Sequence, residues 1–544
     1  MEREWKIKLD GRRWSYNKIV SEILRDRDII NLDRFLYPIE EDMLPLESLK
    51  NIKEAGDIVA NGIREHKRFF VYFDSDTDGV CGGTIMTRYL LNFLDNPLVT
   101  PYINQGKQHG LRYEAACFHD KYDVVIIVDS IETDTVLYEE LLRMGSEVVV
   151  LDHHDLVPAI RNMQHKIHLV SSMNEYENPQ LCGAGVALKF CLYLDQIFNT
   201  TYASSYFDLA ACGICADMMS VGTDSLENRY ICYTGFENLV NPAIIKIKGS
   251  YEMSSTTVSF GIAPLVNAAN RMNENWAALN LFMSDDPDVI SDKITILKQC
   301  RQKQNERVEE AYQKVEAQAR EQKDKKVMFF VIDESDGISG LLANKILGQY
   351  QRPVIMTKET VDAAGDEVYS GSIRAVGVDN FSTIINKTRY AQAMGHSNAA
   401  GFTMKKKYKE KFTQKIEEQL KDVEFKEQIT VDIQLLQSQI NKDLISWLKS
   451  INRISGQGFP PVTVMVDDVV DYKVESMSGG RHTKIVTPHM LFIKWNSDDW
   501  EFIPEDMSIS AIGTLDQGCF GKKFYLQMIM TDYRVEEKIE IDDI

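Results

Sequence analysis

The chain has 544 residues, of which 44% are hydrophobic, and it carries a formal net charge of −20 at pH 7. The length predicts about three domains of roughly 150 residues each, and the apolar content excludes wholesale disorder. The acidic balance argues against a protein that coats nucleic acid indiscriminately, although an acidic chain can still carry a local basic groove.

Targeting and redox signals predict a cytoplasmic protein. The sequence has no apolar run of about 18 residues, and its polar start, MEREWKIKLDGRRW, lacks the apolar region of a secretory signal. The nine cysteines are an odd, scattered set, which predicts reduced and mostly buried thiols. Cys212 and Cys215 form a CxxC without a second pair at zinc spacing, so a core role is favoured over a metal or redox role.

The first part of the chain predicts an N-terminal helical lead-in (1–50) and an α/β domain (51–280). Three short apolar runs in that domain are each followed by a helical segment, which is typical of buried parallel strands: RFFVYFDSD (68–76), YDVVIIVDS (122–130) and SEVVVLDHH (146–154). All three runs finish on Asp or His, and open α/β sheets bind ligands at the carboxyl ends of their strands. The sequence therefore predicts metal-capable groups on one rim of one sheet.

The later part predicts connecting helices at 281–325 and a second α/β domain at 326–430. The connecting helices are highly charged and favour a solvated role; a nucleic-acid path along them is the alternative, lined by Lys298, Arg301, Lys303 and Arg307. From 431 to 544 several short alternating strands predict a small β-barrel, for which an OB-fold is the first choice.

The run DSDTDG (74–79) places three carboxylates at alternate positions directly after a strand. Their mutual repulsion would be costly without a cation. The spacing matches the first half of an EF-hand loop, but Ile85 stands where a bidentate Glu is required, and a strand rather than a helix precedes the run. These acids therefore favour a metal site of another kind.

Other metal-capable residues strengthen this interpretation. His153 and His154 follow Asp152 at the end of the third strand, Asp129 ends the middle strand, and Asp217 follows an apolar run. Alone, each acid would be assigned to a helix cap or a loop. Together, these Asp and His donors suit Mn²⁺ or Mg²⁺ better than structural zinc, and they are numerous enough for two ions that share a carboxylate. The natural reaction of such a pair is hydrolysis of a phosphodiester or phosphoanhydride.

The motifs DSDTDG, VDS, LDHH and CADMM, in this order, resemble the four motifs of the DHH phosphoesterase superfamily. Further segments resemble its RecJ branch: ENR (227–229), FGIAPLVNAANRM (260–272), GISGLLANKI (337–346), SGSIRA (370–375), MGHSNAAGFT (394–403) and GQGFPP (456–461). The resemblance covers residues 35–535. It implies a parallel-sheet DHH domain, a DHHA1 substrate-binding domain and an OB-fold-like nucleic-acid-binding domain within the boundaries given above.

The resemblance implies a 5′-to-3′ exonuclease specific for single-stranded DNA that uses two Mn²⁺ or Mg²⁺ ions and acts in DNA repair, recombination or replication. By position it implies metal ligation by Asp74, Asp76, Asp129, His153 and Asp217. It further implies catalytic roles for His154 and Asp152, phosphate binding by Arg271, Ser372, Arg374 and His396, and supporting roles for Asp78, Gly395 and Asn267. Residue chemistry agrees, because arginine grips phosphate with two hydrogen bonds and glycine-rich backbone allows a strand to approach closely.

The chain also departs from the RecJ pattern. RecJ proteins usually carry an arginine in the loop after the second strand, where this chain has INQGKQHGL (103–111) and offers Lys107. Asn270 replaces the glycine of the NAAGR motif, so the turn there can differ. The expected partner is single-stranded DNA, with RNA left open, and a single-strand-binding protein or a helicase is the expected protein partner. We expect a monomer with no membrane contact.

Two alternative functions follow from the same motifs. One is an oligoribonuclease or cyclic-dinucleotide phosphodiesterase of the same superfamily, but such proteins usually end after the DHHA1 part. The other is a catalytically silent replication or repair scaffold, but this chain keeps every acid and both histidines of the motifs.

Overall fold

The computed structural model of the protein describes residues 3–104, 122–131, 135–333, 336–362, 364–425, 428–520 and 523–536. The chain begins with one strand and two helices: β1 (Glu4–Asp10), α1 (Tyr16–Asp26) and α2 (Leu32–Leu36). The prediction of a wholly helical lead-in is wrong at β1, which pairs in parallel with a strand at Gln428–Leu435. Trp5, Ile7 and Leu9 recur at every second position, and this period is that of a strand.

The next elements build a five-stranded sheet: α3 (Ile52–Arg64), β2 (Phe69–Phe73), α4 (Thr77–Leu91), β3 (Val99–Ile103), β4 (Val124–Val128), α5 (Val136–Arg143), β5 (Glu147–Asp152), α6 (Pro158–Met163) and β6 (Leu169–Ser171). The strands are all parallel, in the order β3-β2-β4-β5-β6. Alternate residues of β2 pack into separate cores on the two faces, so β2 and β4 are buried throughout. The three strands predicted from the apolar runs are confirmed as β2, β4 and β5, which lie side by side.

A helical layer packs against one face of this sheet: α7 (Gly183–Phe198), α8 (Phe207–Ala216), α9 (Leu226–Glu237), α10 (Pro242–Lys248), α11 (Ser255–Thr257), α12 (Ala263–Arg271) and α13 (Asn275–Met283). A π-helical turn at Val258–Ile262 joins α11 to α12. Gly213 allows α8 to approach α7 closely, because a Cβ at this position would lie 2.7 Å from the Cβ of Ala184. This close packing brings the end of α8, and therefore Asp217, toward the carboxyl edge of the sheet.

A single helix, α14 (Pro287–Gln322), connects the two α/β domains. Its 36 residues span about 54 Å at roughly 1.5 Å per residue. The predicted long, charged connecting helix is confirmed. Lys298 and Lys303 are exposed on it, and Arg301 donates a hydrogen bond to the carbonyl of Phe260 at 3.3 Å.

The second α/β domain contains β7 (Met328–Val331), α15 (Asp336–Tyr350), β8 (Val354–Val361), β9 (Glu367–Arg374), α16 (Phe381–Lys387), β10 (Ala391–His396), β11 (Ala399–Lys405) and α17 (Lys409–Gln419). Its sheet has the order β10-β11-β9-β8-β7, with β7 and β8 parallel and the other pairs antiparallel. The glycine- and alanine-rich stretch 394–404 lies in the β10–β11 hairpin, beside β9.

The C-terminal region comprises β12 (Gln428–Leu435), α18 (Lys442–Asn452), β13 (Val464–Val469), β14 (Lys473–Met477), β15 (His482–Val486), β16 (Leu491–Lys494), β17 (Ser508–Phe520) and β18 (Lys523–Glu536). Together with β1 these strands form one sheet in the order β1-β12-β13-β17-β18-β16-β15-β14. The predicted strand-rich region is confirmed. The OB-fold assignment and the exact domain boundaries stay predictions.

Two simpler expectations concern thiols and membranes. The cysteines whose side chains the structure describes are free and buried, including Cys212 and Cys215 in α8. Within the described ranges, no helix has an apolar stretch long enough to cross a bilayer.

Candidate metal and phosphate site

The carboxyl edge of the parallel sheet gathers the predicted acids and histidines. Asp74 follows β2 directly, Asp129 follows β4, and Asp152 is the last residue of β5, with His153 and His154 after it. Asp129 adopts a positive φ of 53°, so the chain turns at this residue. Because the three strands are adjacent and parallel, their ends bring these side chains together.

Donor atoms at this edge form three overlapping groups, each within 4.8 Å. Their members are Asp74, Asp76 and Asp129; Asp129, His153 and His154; and Asp78, His153 and Asp217. Nε2 of His153 lies 3.0 Å from Oδ1 of Asp129 and 3.5 Å from Oδ2 of Asp217. Asp129 and His153 each belong to two groups, which is the arrangement expected of ligands at the middle of a two-ion site.

The buried Oδ1 of Asp129 tests whether the site fits a cation. Asp129 is only 2% exposed, and within the described residues its Oδ1 accepts no hydrogen bond, although Nε2 of His153 is close. An oxygen and a ring nitrogen at this distance need a proton or a cation between them. Carboxylate oxygens with imidazole suit Mn²⁺ or Mg²⁺, so the residues present fit such ions.

Asp78 has a different environment from the other acids of DSDTDG. Its Oδ2 accepts a hydrogen bond from the N–H of Gly183 at 2.8 Å, and its Oδ1 accepts one from Ala184 at 3.0 Å. These are the first amides of α7, where the helix dipole favours negative charge. Asp78 thus holds α7 against α4 while its Oδ2 stays 3.8 Å from Nε2 of His153. Asp76, by contrast, caps α4 by accepting from Gly79 at 3.1 Å.

Asp152 and His154 form a hydrogen-bonded pair. Oδ1 of Asp152 lies 3.0 Å from Nδ1 of His154 and accepts from the backbone N–H of His153 and of His154, both at 2.7 Å. Burial disfavours ionisation of Asp152, but the charge and hydrogen bond of His154 outweigh it and hold the pKa of Asp152 below its ordinary value. Burial likewise opposes the cationic His154, yet Asp152 raises the pKa of His154 to about 9.

The acids of the cluster repel one another. Burial, with the charges of Asp74 and Asp78, raises the pKa of Asp76 to about 7. Burial, with Asp78 and Asp76, raises the pKa of Asp217 to about 8. Burial also raises the pKa of Asp129 well above its ordinary value. These directions are those of a carboxylate cluster that calls for a counter-charge.

The predicted phosphate-binding arginines face each other from two domains. Arg271 ends α12, Arg374 ends β9, and burial together with the charge of Arg374 lowers the pKa of Arg271. Arg271 donates to Gln304 at 3.2 Å and Nη1 of Arg374 donates to the carbonyl of Ile373 at 2.7 Å, so these bonds do not go to carboxylates. The charge of Asp76 favours the cationic form of Arg271, so this arginine interacts electrostatically with the acidic cluster.

The structure describes three more of the predicted site residues. Ser372 on β9 has its Oγ 2.9 Å from Oγ of Ser339, and Asn267 on α12 accepts from Oγ1 of Thr77 at 3.2 Å. Gly395 has a φ of 125°, which favours glycine. The side chain of His396 and all of Lys107 lie outside the described residues.

Sequence reasoning missed three contact residues: Thr77, Gln304 and Ser339. Gln304 is 7% exposed, although it belongs to a helix expected to be solvated. Leu297, Cys300 and Ala311 are buried on the same helix, so Gln304 occupies a polar position within an apolar stripe. That irregularity is a signal that the sequence does contain.

The chain is similar in sequence to one protein family and to several known proteins. Residues 68–214 match the family described as DHH family, N-terminal domain. YorK of Bacillus subtilis is 26% identical over 541 residues, covering 92% of each chain. It is an SPbeta prophage-derived protein whose name provisionally describes a single-strand DNA-specific exonuclease. The single-stranded-DNA-specific exonuclease RecJ of Thermus thermophilus is 27% identical over 385 residues, which cover 67% of this chain and 54% of that protein.

A solved structure has the same fold. The crystal structure of Thermus thermophilus RecJ in complex with Mn²⁺ superposes with a TM-score of 0.77 at 21% identity, covering 98% of this chain and 79% of that one. Residues 68–214 therefore resemble the N-terminal domain of the DHH family, and the chain shares the fold of that RecJ structure. In sequence the chain is similar to RecJ and to YorK, with 26–27% identity.

Proposed function

We propose that the protein is a metal-dependent 5′-to-3′ exonuclease that hydrolyses phosphodiester bonds of single-stranded DNA. The observation that carries the proposal is the shared carboxylate of Asp129, which belongs to two adjacent groups of metal-capable donors. YorK and RecJ, whose names describe single-strand-specific DNA exonucleases, support the same substrate. DNA repair, recombination or replication is the corresponding biological setting.

Two Mn²⁺ or Mg²⁺ ions are the proposed cofactors. Asp74, Asp76 and Asp129 would hold one ion, and Asp129, His153 and Asp217 would hold the other. When bound, such ions lower the pKa of a water molecule and stabilise the charge that develops on a phosphate. The protein's own contribution is a preformed set of acids, with Asp129 and Asp78 buried at 2% and 1% exposure.

His154 is proposed to face the reacting phosphate as a cation. Its Nδ1 is engaged by Asp152 at 3.0 Å, which fixes the ring, and the charge and hydrogen bond of Asp152 raise its pKa and so favour the cationic ring. A positioned imidazolium stabilises negative charge and can supply a proton to a leaving oxygen. Asp152 acts through His154.

Arg271, Ser372, Arg374 and His396 are proposed to bind the phosphates of the strand. Arg271 comes from the catalytic domain and Arg374 from the second domain, so a strand held between them contacts both. Burial lowers the pKa of both arginines, and the charge of Arg374 lowers that of Arg271 further; a phosphate bound between them would offset this penalty. Gly395 and Asn267 are proposed to support this surface.

The two alternative functions are less favoured. An oligoribonuclease or cyclic-dinucleotide phosphodiesterase would not need the eight-stranded sheet completed by the C-terminal region. A silent scaffold would not need to retain the complete donor set. We further propose that the protein acts in the cytoplasm as a monomer, with a single-strand-binding protein or a helicase as partner.

The decisive assay compares 5′-labelled and 3′-labelled single strands of DNA and RNA with Mn²⁺. We expect mononucleotides released from the 5′ end of single-stranded DNA and little cleavage of blunt duplex. Internal cuts, or cleavage restricted to dinucleotides, would contradict the proposal.

The same assay tests the shared ligand. Asp129→Asn should abolish cleavage and weaken Mn²⁺ binding, because it removes the carboxylate common to two donor groups. Asp123→Asn is the matched control, since Asp123 lies just before the opposite end of β4 and accepts from the N–H of Arg68. An active Asp129→Asn protein would refute the site assignment.

A further inference from the structure

The triplet Glu227-Asn228-Arg229 lies outside the metal site yet is almost wholly buried. The three side chains are 3%, 0% and 1% exposed, at the start of α9. Burying two charges and an amide is costly unless each has partners, so their contacts identify what they hold in place.

Asn228 joins the two chain segments that lead to the metal site. Its Nδ2 donates to the carbonyl of Gln180 at 2.6 Å and to the carbonyl of Ser220 at 2.9 Å. Gln180 lies just before α7, whose first amides hold Asp78. Ser220 closely follows Asp217 along the chain. One amide group therefore fixes the distance between these two segments.

Arg229 joins the segment after Asp217 to two distant parts of the chain. Its Nη1 donates to the carbonyls of Val221 at 3.0 Å and Ile454 at 2.9 Å, and its Nε donates to the carbonyl of Phe35 at 2.6 Å. The guanidinium also stacks over the ring of Phe35 at 3.5 Å. A lysine could not form these three hydrogen bonds in the same geometry, because it lacks a planar guanidinium.

The C-terminal segment 454–459 also contacts the segment that follows Asp217. The N–H of Val221 donates to the carbonyl of Gln457 at 2.9 Å. A Cβ at Gly222 would lie 2.9 Å from the carbonyl oxygen of Gly458, so the two backbones are in direct contact. The GQGFPP motif therefore packs against the segment that follows Asp217.

The segment after Asp217 needs such support because its backbone is strained. Met218 has a φ of 54°, in the left-handed region that bulky side chains rarely adopt. The N–H of Met219 donates to the carbonyl of Ile214 at 3.0 Å, so α8 ends in a Schellman turn with methionine at the position glycine prefers. Strained backbone at a site persists where the surroundings over-determine it.

We propose that Asn228 and Arg229 are positioning residues that hold segment 218–222 between α7 and the C-terminal segment 454–459, and thereby fix the carboxylate of Asp217 opposite Asp78 and His153. The inference rests on the proposed metal site. It makes the C-terminal region part of what shapes that site.

The test is Mn²⁺ binding by calorimetry on the full chain, beside thermal unfolding and steady-state cleavage. Arg229→Lys should weaken Mn²⁺ binding by about ten- to a hundredfold, the usual effect of losing support for a ligand. At limiting Mn²⁺ its kcat should fall, its activity should recover at high Mn²⁺, and its KM for DNA should stay within about twofold of the unaltered protein.

Arg27→Lys is the matched control. Arg27 donates to the carbonyls of Pro460 and Pro461 and to Asp432, so these hydrogen bonds lie outside segments 218–222 and 454–459, and a lysine can keep a cation over the ring of Phe459. Its replacement should lower the melting temperature while Mn²⁺ affinity stays within about twofold, because the described contacts of Arg27 do not include segment 218–222.

The outcomes are distinct. If Arg229→Lys unfolds more easily but binds Mn²⁺ like the control, the inference is overturned. If that variant does not fold, Gly222→Ala repeats the test by pushing the segment away from Gly458, and unchanged Mn²⁺ affinity again overturns the inference. If the unaltered protein fails to bind Mn²⁺, the proposed function itself is refuted.

Discussion

The protonation of Asp76 and Asp217 links metal binding to pH. Their pKa values of about 7 and about 8 mean that both carboxyls hold protons at pH 6 in the metal-free protein. A cation must displace these protons, so apparent Mn²⁺ affinity should rise roughly tenfold per pH unit for each proton released.

The sign for stability follows from the same pKa values. An acid whose pKa is raised in the folded protein stabilises it at low pH, and this contribution is lost as pH rises from the unfolded value toward 7 and 8. The metal-free protein should therefore lose stability between pH 5 and pH 8.5 through these groups, and the Mn²⁺-induced rise in melting temperature should be larger at about pH 8.5 than at about pH 6. Asp217→Asn should reduce this pH dependence. An equal Mn²⁺ shift at both pH values would contradict the assignment.

The roles of residues could be predicted from the sequence where adjacent parallel strands bring their side chains to one edge. Asp74, Asp129 and His153 follow adjacent parallel strands, and the carboxyl ends of such strands share one edge. Asp217 follows a helix, so its place in the cluster was inferred from the company of the other motifs and then from the resemblance. Ser339 and Gln304 come from other segments, and no local pattern assigns them a partner.

At the scale of elements, the crossing of α8 and α7 sets the depth of the site. A Cβ at Gly213 would lie 2.3 Å from Oδ1 of Asp78 and 2.7 Å from the Cβ of Ala184. We expect Gly213→Ala to separate the two helices, to weaken Mn²⁺ binding at least about tenfold, and to destabilise the fold by about 1–3 kcal/mol. Calorimetry and denaturant unfolding measure both effects.

Gly348 provides the matched control for that substitution. It lies in α15, where a Cβ would meet nothing within 4 Å. Gly348→Ala should therefore leave Mn²⁺ binding unchanged and stabilise the helix by up to about 1 kcal/mol. Equal Mn²⁺ affinity in the Gly213 and Gly348 variants would show that the helix crossing does not shape the site.

Element prediction succeeded where periodicity was unambiguous. Each apolar run was compatible with a strand and became β2, β4 or β5. The charged repeat was compatible with a helix and became α14. β1 was missed although Trp5, Ile7 and Leu9 alternate, because its pairing partner β12 is far away in the sequence. The order of the eight-stranded sheet likewise depends on long-range pairings that no local pattern encodes.

At the scale of the whole molecule, the proposed binding of single-stranded DNA must be reconciled with a net charge of −20. Arg271 and Arg374 are cations close enough to interact with each other, and Arg271 also interacts with Asp76 of the acidic cluster. Arg374→Ala should weaken single-strand binding by about 1.5–3 kcal/mol and reduce the salt slope by about 0.7, the value for one phosphate contact on a single strand. Mn²⁺ binding should not change.

Binding is best measured in an Asp129→Asn background, which prevents cleavage. Lys421→Ala is the matched control, because Lys421 is an exposed cation of the same domain that forms a long ion pair with Asp422 at 3.9 Å. It should alter neither affinity nor slope appreciably. A salt slope that Arg374→Ala leaves unchanged would remove this residue from the proposed phosphate surface.

The pairing of β1 with β12 has a consequence for how the chain is made. Glu4 lies opposite Gln428, so nearly the whole catalytic chain must leave the ribosome before β1 meets its neighbour. At about 5–20 residues per second this delay is roughly 20–85 s. During that time Trp5, Ile7 and Leu9 remain without the strand beside which they pack. β1 is thus synthesised long before its neighbouring strand and is among the last elements to reach its native position.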